Sequence, residues 1–252
     1  MSDATQPRAP DELRAWRKAQ RAQLIARRAE TPLEQRSAWN DRITAYLVDA
    51  FDMPFDAVVG FCWPYKGEFD ARFAVRRWRE RGALAALPEV TAPKTPLQFR
   101  LWKPGVAMRP GVYDIPVPDG TEIVLPDTAV VPMNGFDTRG YRLGYGGGFF
   151  DRTLAALERR SIAIGVSYEM LRLDTIEAQP YDVPMDFIVT EKGVYSGGGE
   201  PLELLDAAEA RRRFARLMIA KRLPRAAYSS DGLSSPVCYA DQFPGDKPSD
   251  EC

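Results

Sequence analysis

At 252 residues, 45% hydrophobic and 27% charged, the chain has the balance of a globular protein with one real core, or one domain plus an appendage. A net charge of −1 argues against nucleic-acid binding, which needs a strong excess of Lys and Arg, and no apolar run approaches the roughly 20 residues that cross a bilayer. With no histidine and three scattered cysteines, Cys62, Cys238 and Cys252, neither a His-based mechanism nor a CxxC or disulfide framework is expected, and acid–base or metal chemistry falls to carboxylates, Lys, Tyr or Arg.

The segment Met1 to Pro10 lacks the apolar stretch of a signal peptide, so a cytoplasmic protein is expected. From Asp11 to Glu30 the pattern predicts a helix, with Leu13, Trp16, Gln20 and Leu24 at helical spacing. Thr31-Pro32 breaks it, and a second helix is expected from Leu33 to Phe51. Ala57 to Trp63 is an apolar run of the length of a buried strand, in which Cys62 reads as a small buried hydrophobe. Helix signals return from Asp70 to Arg81, closed by Gly82. Leu84 to Leu87, Leu97 to Trp102 and Thr128 to Pro132 read as strands, Asp151 to Arg160 as a helix, and Ile162 to Tyr168 and Asp186 to Thr190 as further strands. Strands alternating with helices predict an α/β domain with a largely parallel or mixed sheet.

Ser196-Gly197-Gly198-Gly199 has the composition of a flexible linker. Beyond it, Leu202 to Leu223 predicts a basic helix carrying Arg211, Arg212, Arg213, Arg216, Lys221 and Arg222. Residues 231–252 hold five acids against Lys247, a net of −4. The expected organisation is therefore an α/β domain over 11–195 and a linker, basic helix and acidic tail over 196–252.

The richest stretch is PMNGFDTRGYRLGYGGGFFDRTL, Pro132 to Leu154. Gly144, Gly146, Gly147 and Gly148 fall within five residues, after a strand and before a helix. Such a turn can aim backbone N–H groups and a helix N-terminus at an anion, and Arg142 adds a full positive charge. A tight structural turn is the competing reading. The spacing is neither a Walker A loop, since no GK[ST] follows, nor GxGxxG, since Phe149 stands where the third glycine belongs.

The string RLGYGGGFFDR, with Asp137, Gly140 and Arg142 as lead-in, resembles the signature of the 5-formyltetrahydrofolate cyclo-ligases. The resemblance extends at lower density from about Leu13 to Glu191. It implies a single α/β domain with a mixed sheet flanked by helices, and an ATP- and Mg²⁺-dependent closure of N5-formyltetrahydrofolate to 5,10-methenyltetrahydrofolate. It also implies roles for individual residues. A basic pair four apart on the first helix, best matched by Arg17 and Arg21 with Lys18 and Arg14 as competitors, faces the ATP phosphates. Arg142, Gly144, Gly146, Gly147, Gly148, Phe149 and Phe150 complete the nucleotide site. Arg142 and Asp151 carry the catalytic roles, and Asp151 and Asp182 are the magnesium carboxylates. In FCWPYKGEFD, Glu68 and Trp63 match folate contacts. A solvated basic helix face, and Trp63 with Tyr65 as core at a strand end, are the competing readings. Asp186 reads as structural.

The chain departs from the family pattern at Gly147, where many members have Lys, at Phe149 and Phe150, where Tyr-Tyr is usual, and at Tyr181, where many have His. These departures motivate two alternatives: a paralogue acting on another substrate, or a binding protein without turnover. The expected partners are small molecules, a reduced folate and ATP, without nucleic acid or membrane, and a monomer is the default.

Overall fold

The computed structural model describes residues 8–157 and 161–221; the acidic tail expected over 231–252, the last two residues of the helix expected over Leu202 to Leu223, and residues 158–160 of the helix expected over Asp151 to Arg160 lie outside them. Five helices are present among the described residues: α1 (Pro10–Glu30), α2 (Leu33–Ala50), α3 (Arg72–Glu80), α4 (Phe149–Leu157) and α5 (Ala207–Lys221). None is long and apolar enough to cross a membrane.

The main sheet has nine strands in the spatial order Leu204–Leu205, Gly193–Ser196, Phe187–Thr190, Ile162–Val166, Thr128–Pro132, Val58–Gly60, Leu84–Glu89, Gln98–Trp102 and Ile123–Val124. The central five are mutually parallel and the outer pairs antiparallel, so the sheet is mixed, as expected. Numbered by their own chain order, the parallel strands run 2-1-3-4-5. In that order the switch point lies between Val58–Gly60 and Thr128–Pro132, and ligands of open α/β sheets gather beyond the carboxyl ends of such strands.

The inner strands are buried along their whole length, Pro132 at the end of one excepted, because both faces are covered. Alternate residues point opposite ways. Val130, Ile162 and Ile164 join Ile43 and Leu47 of α2, Trp78 of α3 and Phe214 of α5 in one core. Ala129, Val131 and Ala163 join Leu154 of α4 and Met185 in the other. Gly165 sits on this second face because a Cβ there would come within 2.6 Å of Met133 Sδ.

Several expectations change. The apolar run Ala57 to Trp63 pairs only over Val58–Gly60, and the residues beyond leave the sheet for the crevice. Helix α1 does not bury the stripe Leu13, Trp16, Gln20 and Leu24; its buried residues are Leu13, Arg17, Leu24 and Arg28, because distant segments supply partners for the two arginines. Gly197–Gly199 is no loose linker. Gly197 N–H donates to Asp186 C=O at 2.9 Å, Gly198 N–H to Met185 C=O at 2.7 Å, and Arg139 Nε to Gly199 C=O at 2.7 Å. A returning strand follows, and α5 then buries Ala210, Phe214 and Met218. Asp186 is structural, accepting from Ala163 N–H and from Lys221 Nζ, both at 2.8 Å.

Candidate functional site

The two segments with chemical content leave the sheet side by side at the switch point: Phe61 to Asp70 after Val58–Gly60, and Met133 to Gly148 after Thr128–Pro132. Helix α1 lies over both. Its side chains at positions 17, 21, 24 and 28 follow the three- and four-residue spacing of one helix face.

At one end of that face, Arg17 grips the segment after Ile176. Its Nη2 lies 2.6 Å from Asp182 Oδ2, Nε donates to Ile176 C=O at 3.1 Å and Nη2 to Glu177 C=O at 2.9 Å. Asp182 also accepts Gln179 N–H at 2.7 Å, which holds the carboxylate still. Beside it, Arg142 Nη2 lies 2.8 Å from Asp151 Oδ2, and Asp151 Oδ1 accepts Val183 N–H at 3.2 Å. Burial pushes the Asp151 carboxyl above its ordinary range, Arg142 opposes that, and the neighbouring Asp182 charge raises it further. Two carboxylates from different elements thus share one desolvated region, each with its own arginine.

The glycine turn closes the same region. Gly146 and Gly148 adopt φ of +102° and +64°, which L side chains rarely tolerate. Arg21 lies against the turn: a Cβ on Gly146 would be 3.2 Å from Arg21 Cζ. Arg152, from the first turn of α4, donates Nη1 to Gly147 C=O at 2.6 Å. A cation therefore stands beside the position where many relatives have Lys. Nothing lies within 4 Å of a Cβ built on Gly144. Phe149 and Phe150 open α4 half-buried, with Arg142 5.7 Å over the Phe150 ring. Lys18 is exposed, about 100° round α1 from Arg17, and Arg14 is an exposed partner of Asp11 at 3.3 Å. Arg17 and Arg21 lie on the inward face of α1 and Lys18 and Arg14 do not, but Arg17, expected beside the phosphates, is engaged by Asp182 and the carbonyls of Ile176 and Glu177.

At the other end of α1, Glu68 is 7% exposed and Arg28 1%. Tyr145 OH donates to Glu68 Oε1 at 2.8 Å, Arg28 Nη2 donates to Tyr145 OH at 3.1 Å, and Tyr65 N–H donates to Glu68 Oε2 at 3.0 Å. Burial pushes the Glu68 carboxyl up, against the lowering influence of Arg28, Tyr145 and Tyr65. Trp63 is not part of this cluster. It packs edge-on against Trp102 and Phe61, with centroids at 5.5 and 6.0 Å, and donates Nε1 to Pro116 C=O at 3.0 Å. Its contacts are those of a packed strand-end side chain, and Tyr65 rather than Trp63 stands beside Glu68 and Tyr145.

Arg28, Tyr145 and Arg152 escape a sequence reading. Arg28 has only its helical spacing from Arg17 and Arg21 as a signal, and Tyr145 stands between two glycines of the string, where no local pattern marks its distant partners. Tyr181 is half-buried; burial and then the Asp182 charge raise its hydroxyl. Among the described residues no three His, Cys, Asp or Glu side chains group closely enough to hold a metal by themselves. Hard oxygen donors on Asp151 and Asp182 fit a Mg²⁺ that completes its shell with phosphate oxygens and water, the usual environment of that ion.

Fold and site together define a mixed-sheet α/β protein with a cation-lined glycine turn at its switch point. The model of the 5-formyltetrahydrofolate cyclo-ligase family matches residues 13–191, and the chain belongs to that family. It is 38% identical over 66 residues to a 5-formyltetrahydrofolate cyclo-ligase of Mycoplasma pneumoniae, covering 26% of this chain and 40% of that protein. It is 36% identical over 121 residues to one of Mycolicibacterium smegmatis, covering 45% of this chain and 62% of that protein. Each match spans less than two thirds of the relative. The fold is similar to that of the 5,10-methenyltetrahydrofolate synthetase of Aquifex aeolicus, with a TM-score of 0.60 and 25% identity, covering 75% of this chain and 96% of that one.

Proposed function

We propose that the protein uses ATP and Mg²⁺ to cyclise N5-formyltetrahydrofolate to 5,10-methenyltetrahydrofolate, releasing ADP and phosphate. The observation that carries this reading is continuity. The arginine-lined glycine turn, with Asp151 and Asp182, is joined to the buried Glu68 carboxylate through Tyr145.

In this reading the formyl oxygen attacks the γ-phosphorus of ATP, forming a C–O–P link as the bond to ADP breaks. The N10 nitrogen then attacks the activated carbon, the C–O bond breaks and phosphate leaves, and the N10 proton passes to solvent. An amide carbon is a poor electrophile and oxide a poor leaving group, and phosphorylation remedies both. No covalent protein nucleophile is needed, so a chain without histidine can do this chemistry. Arg21, Arg142 and the backbone N–H groups of Gly144–Gly148 hold the phosphates in line and meet the developing negative charge. Arg17 positions Asp182. Asp151 and Asp182 are the residues that would hold Mg²⁺, which would supply charge neutralisation at the phosphates. Glu68 accepts hydrogen bonds from the N–H groups of the reduced pterin.

The test is absorbance of the methenyl chromophore with purified protein, N5-formyltetrahydrofolate, ATP and Mg²⁺. The expected rise needs ATP and vanishes in Asp151→Asn. A folded protein that binds ATP and gives no rise would instead be the paralogue or the non-catalytic binder.

A further inference from the structure

We propose that Tyr145 is a positioning residue that ties the glycine turn to the Glu68 carboxylate, so that nucleotide and reduced folate bind with positive coupling. This rests on the function proposed above and adds a link between its two halves.

Tyr145 stands between Gly144 and Gly146, so its backbone belongs to the turn. The residue as a whole is 47% exposed, yet its hydroxyl is held between two buried groups. It donates to Glu68 Oε1 at 2.8 Å and accepts from Arg28 Nη2 at 3.1 Å, while Arg28 and Glu68 themselves stand 4.0 Å apart. The phenol therefore completes an ion pair that does not close by direct contact. Arg28 is further tied to the substrate segment by Nε donating to Lys66 C=O at 3.0 Å. It shares α1 with Arg21, which lies against Gly146 two residue positions from Gly148.

A neutral donor suits this place better than a cation. Burial and the Glu68 charge both push the Tyr145 hydroxyl above its ordinary range, so it keeps its proton and leaves the Glu68 charge for a ligand. The flanking turn is exposed to solvent at Gly146 and Gly147, and Gly146 and Gly148 adopt glycine conformations, so its position is set by the side chains that lie against it, Arg21, Phe149 and Arg152. A phosphate that orders the turn against Arg21 also sets the Tyr145 ring, and with it the orientation of Glu68. A pterin bound to Glu68 sets the turn in return. Coupling of this kind is reciprocal by thermodynamic necessity.

The experiment is calorimetric titration of the full chain with a non-hydrolysable ATP analogue and with N5-formyltetrahydrofolate, each alone and in the presence of the other, with Mg²⁺ throughout. For the wild type we expect each ligand to tighten the other by a common factor of about fivefold or more. In Tyr145→Phe, which keeps the ring and its edge contact with Tyr65, both ligands still bind, folate roughly tenfold more weakly, and the coupling factor falls to about one. A purely structural tyrosine would lower the melting temperature and leave the factor unchanged. Undiminished coupling in Tyr145→Phe, or a wild type that binds both ligands independently, overturns the inference alone. A wild type that binds the nucleotide and no reduced folate overturns the functional reading and the inference with it.

Discussion

Arg17 of α1 and Asp182, 165 residues apart in sequence, meet at 2.6 Å with both side chains nearly enclosed. The contact fastens the first helix to the loop before the last parallel strand, across the mouth of the site. Two backbone carbonyls, those of Ile176 and Glu177, depend on the same guanidinium. Truncating a partner of a buried pair strands the other charge. Arg17→Ala is therefore expected to lose about 3 kcal/mol of stability by urea unfolding. A loss under about 0.5 kcal/mol would mean that the pair is solvated, as surface pairs are.

Glu68 provides a pH signature. Its carboxyl is raised above the ordinary 4.5 by burial, so between these two values the folded state holds a proton that the unfolded state has released. The stability contributed by protonated Glu68 is fully present below about 4.5 and is lost as pH rises through the folded value. Glu68→Gln cannot titrate. Its stability should fall less steeply over that interval than the wild type's, as read from urea midpoints across a pH series. Parallel curves would show that Glu68 titrates normally.

Gly146 tests the turn. At φ +102°, with Arg21 Cζ 3.2 Å from a Cβ built there, Gly146→Ala must strain the backbone and displace the guanidinium. The expected result is roughly tenfold weaker binding of an ATP analogue, equivalent to about 1.4 kcal/mol, with folate binding in the absence of nucleotide largely kept. Unchanged nucleotide affinity would remove the turn from the phosphate site.

Phe214 tests how α5 belongs to the molecule. It is buried against Phe51, ring centroids 5.2 Å apart, and against Phe187. Phe214→Ala should cost about 3–5 kcal/mol in a single cooperative transition. Were α5 an independent appendage, the main unfolding transition would stay where it is in the wild type.

Residues from Gly197 onward show how composition can mislead. Three glycines in a row look like a spacer, yet the absence of a Cβ serves close approach here: one built on Gly197 would sit 1.9 Å from Met185 C=O. The two-residue strand Leu204–Leu205 carries no pattern of its own, because period-2 alternation needs more residues to register. Longer elements fared better. Thr128–Pro132 is a strand with the expected ends, and the other expected helices and strands differ mainly at their termini, but the buried strand Gly193–Ser196 was not expected and Leu204–Leu205 is a strand where the helix from Leu202 was, so that α5 begins only at Ala207.

Local chemistry along the chain was enough for the alternation of strands and helices, for the glycine turn and for the family, because each is written in contiguous residues. Arg142, Gly144, Gly146 and Asp151 stand within ten positions of one another. What the tertiary structure alone decided is which charges meet. Helical spacing put Arg17, Arg21 and Arg28 on one stripe without saying that it faces inward. That face is turned in because Asp182, Glu68 and the carbonyls of Ile176, Glu177 and Lys66 wait there, from segments brought together by the crossing of parallel strands. A buried arginine needs partners from outside its own helix, and chain periodicity holds no record of them.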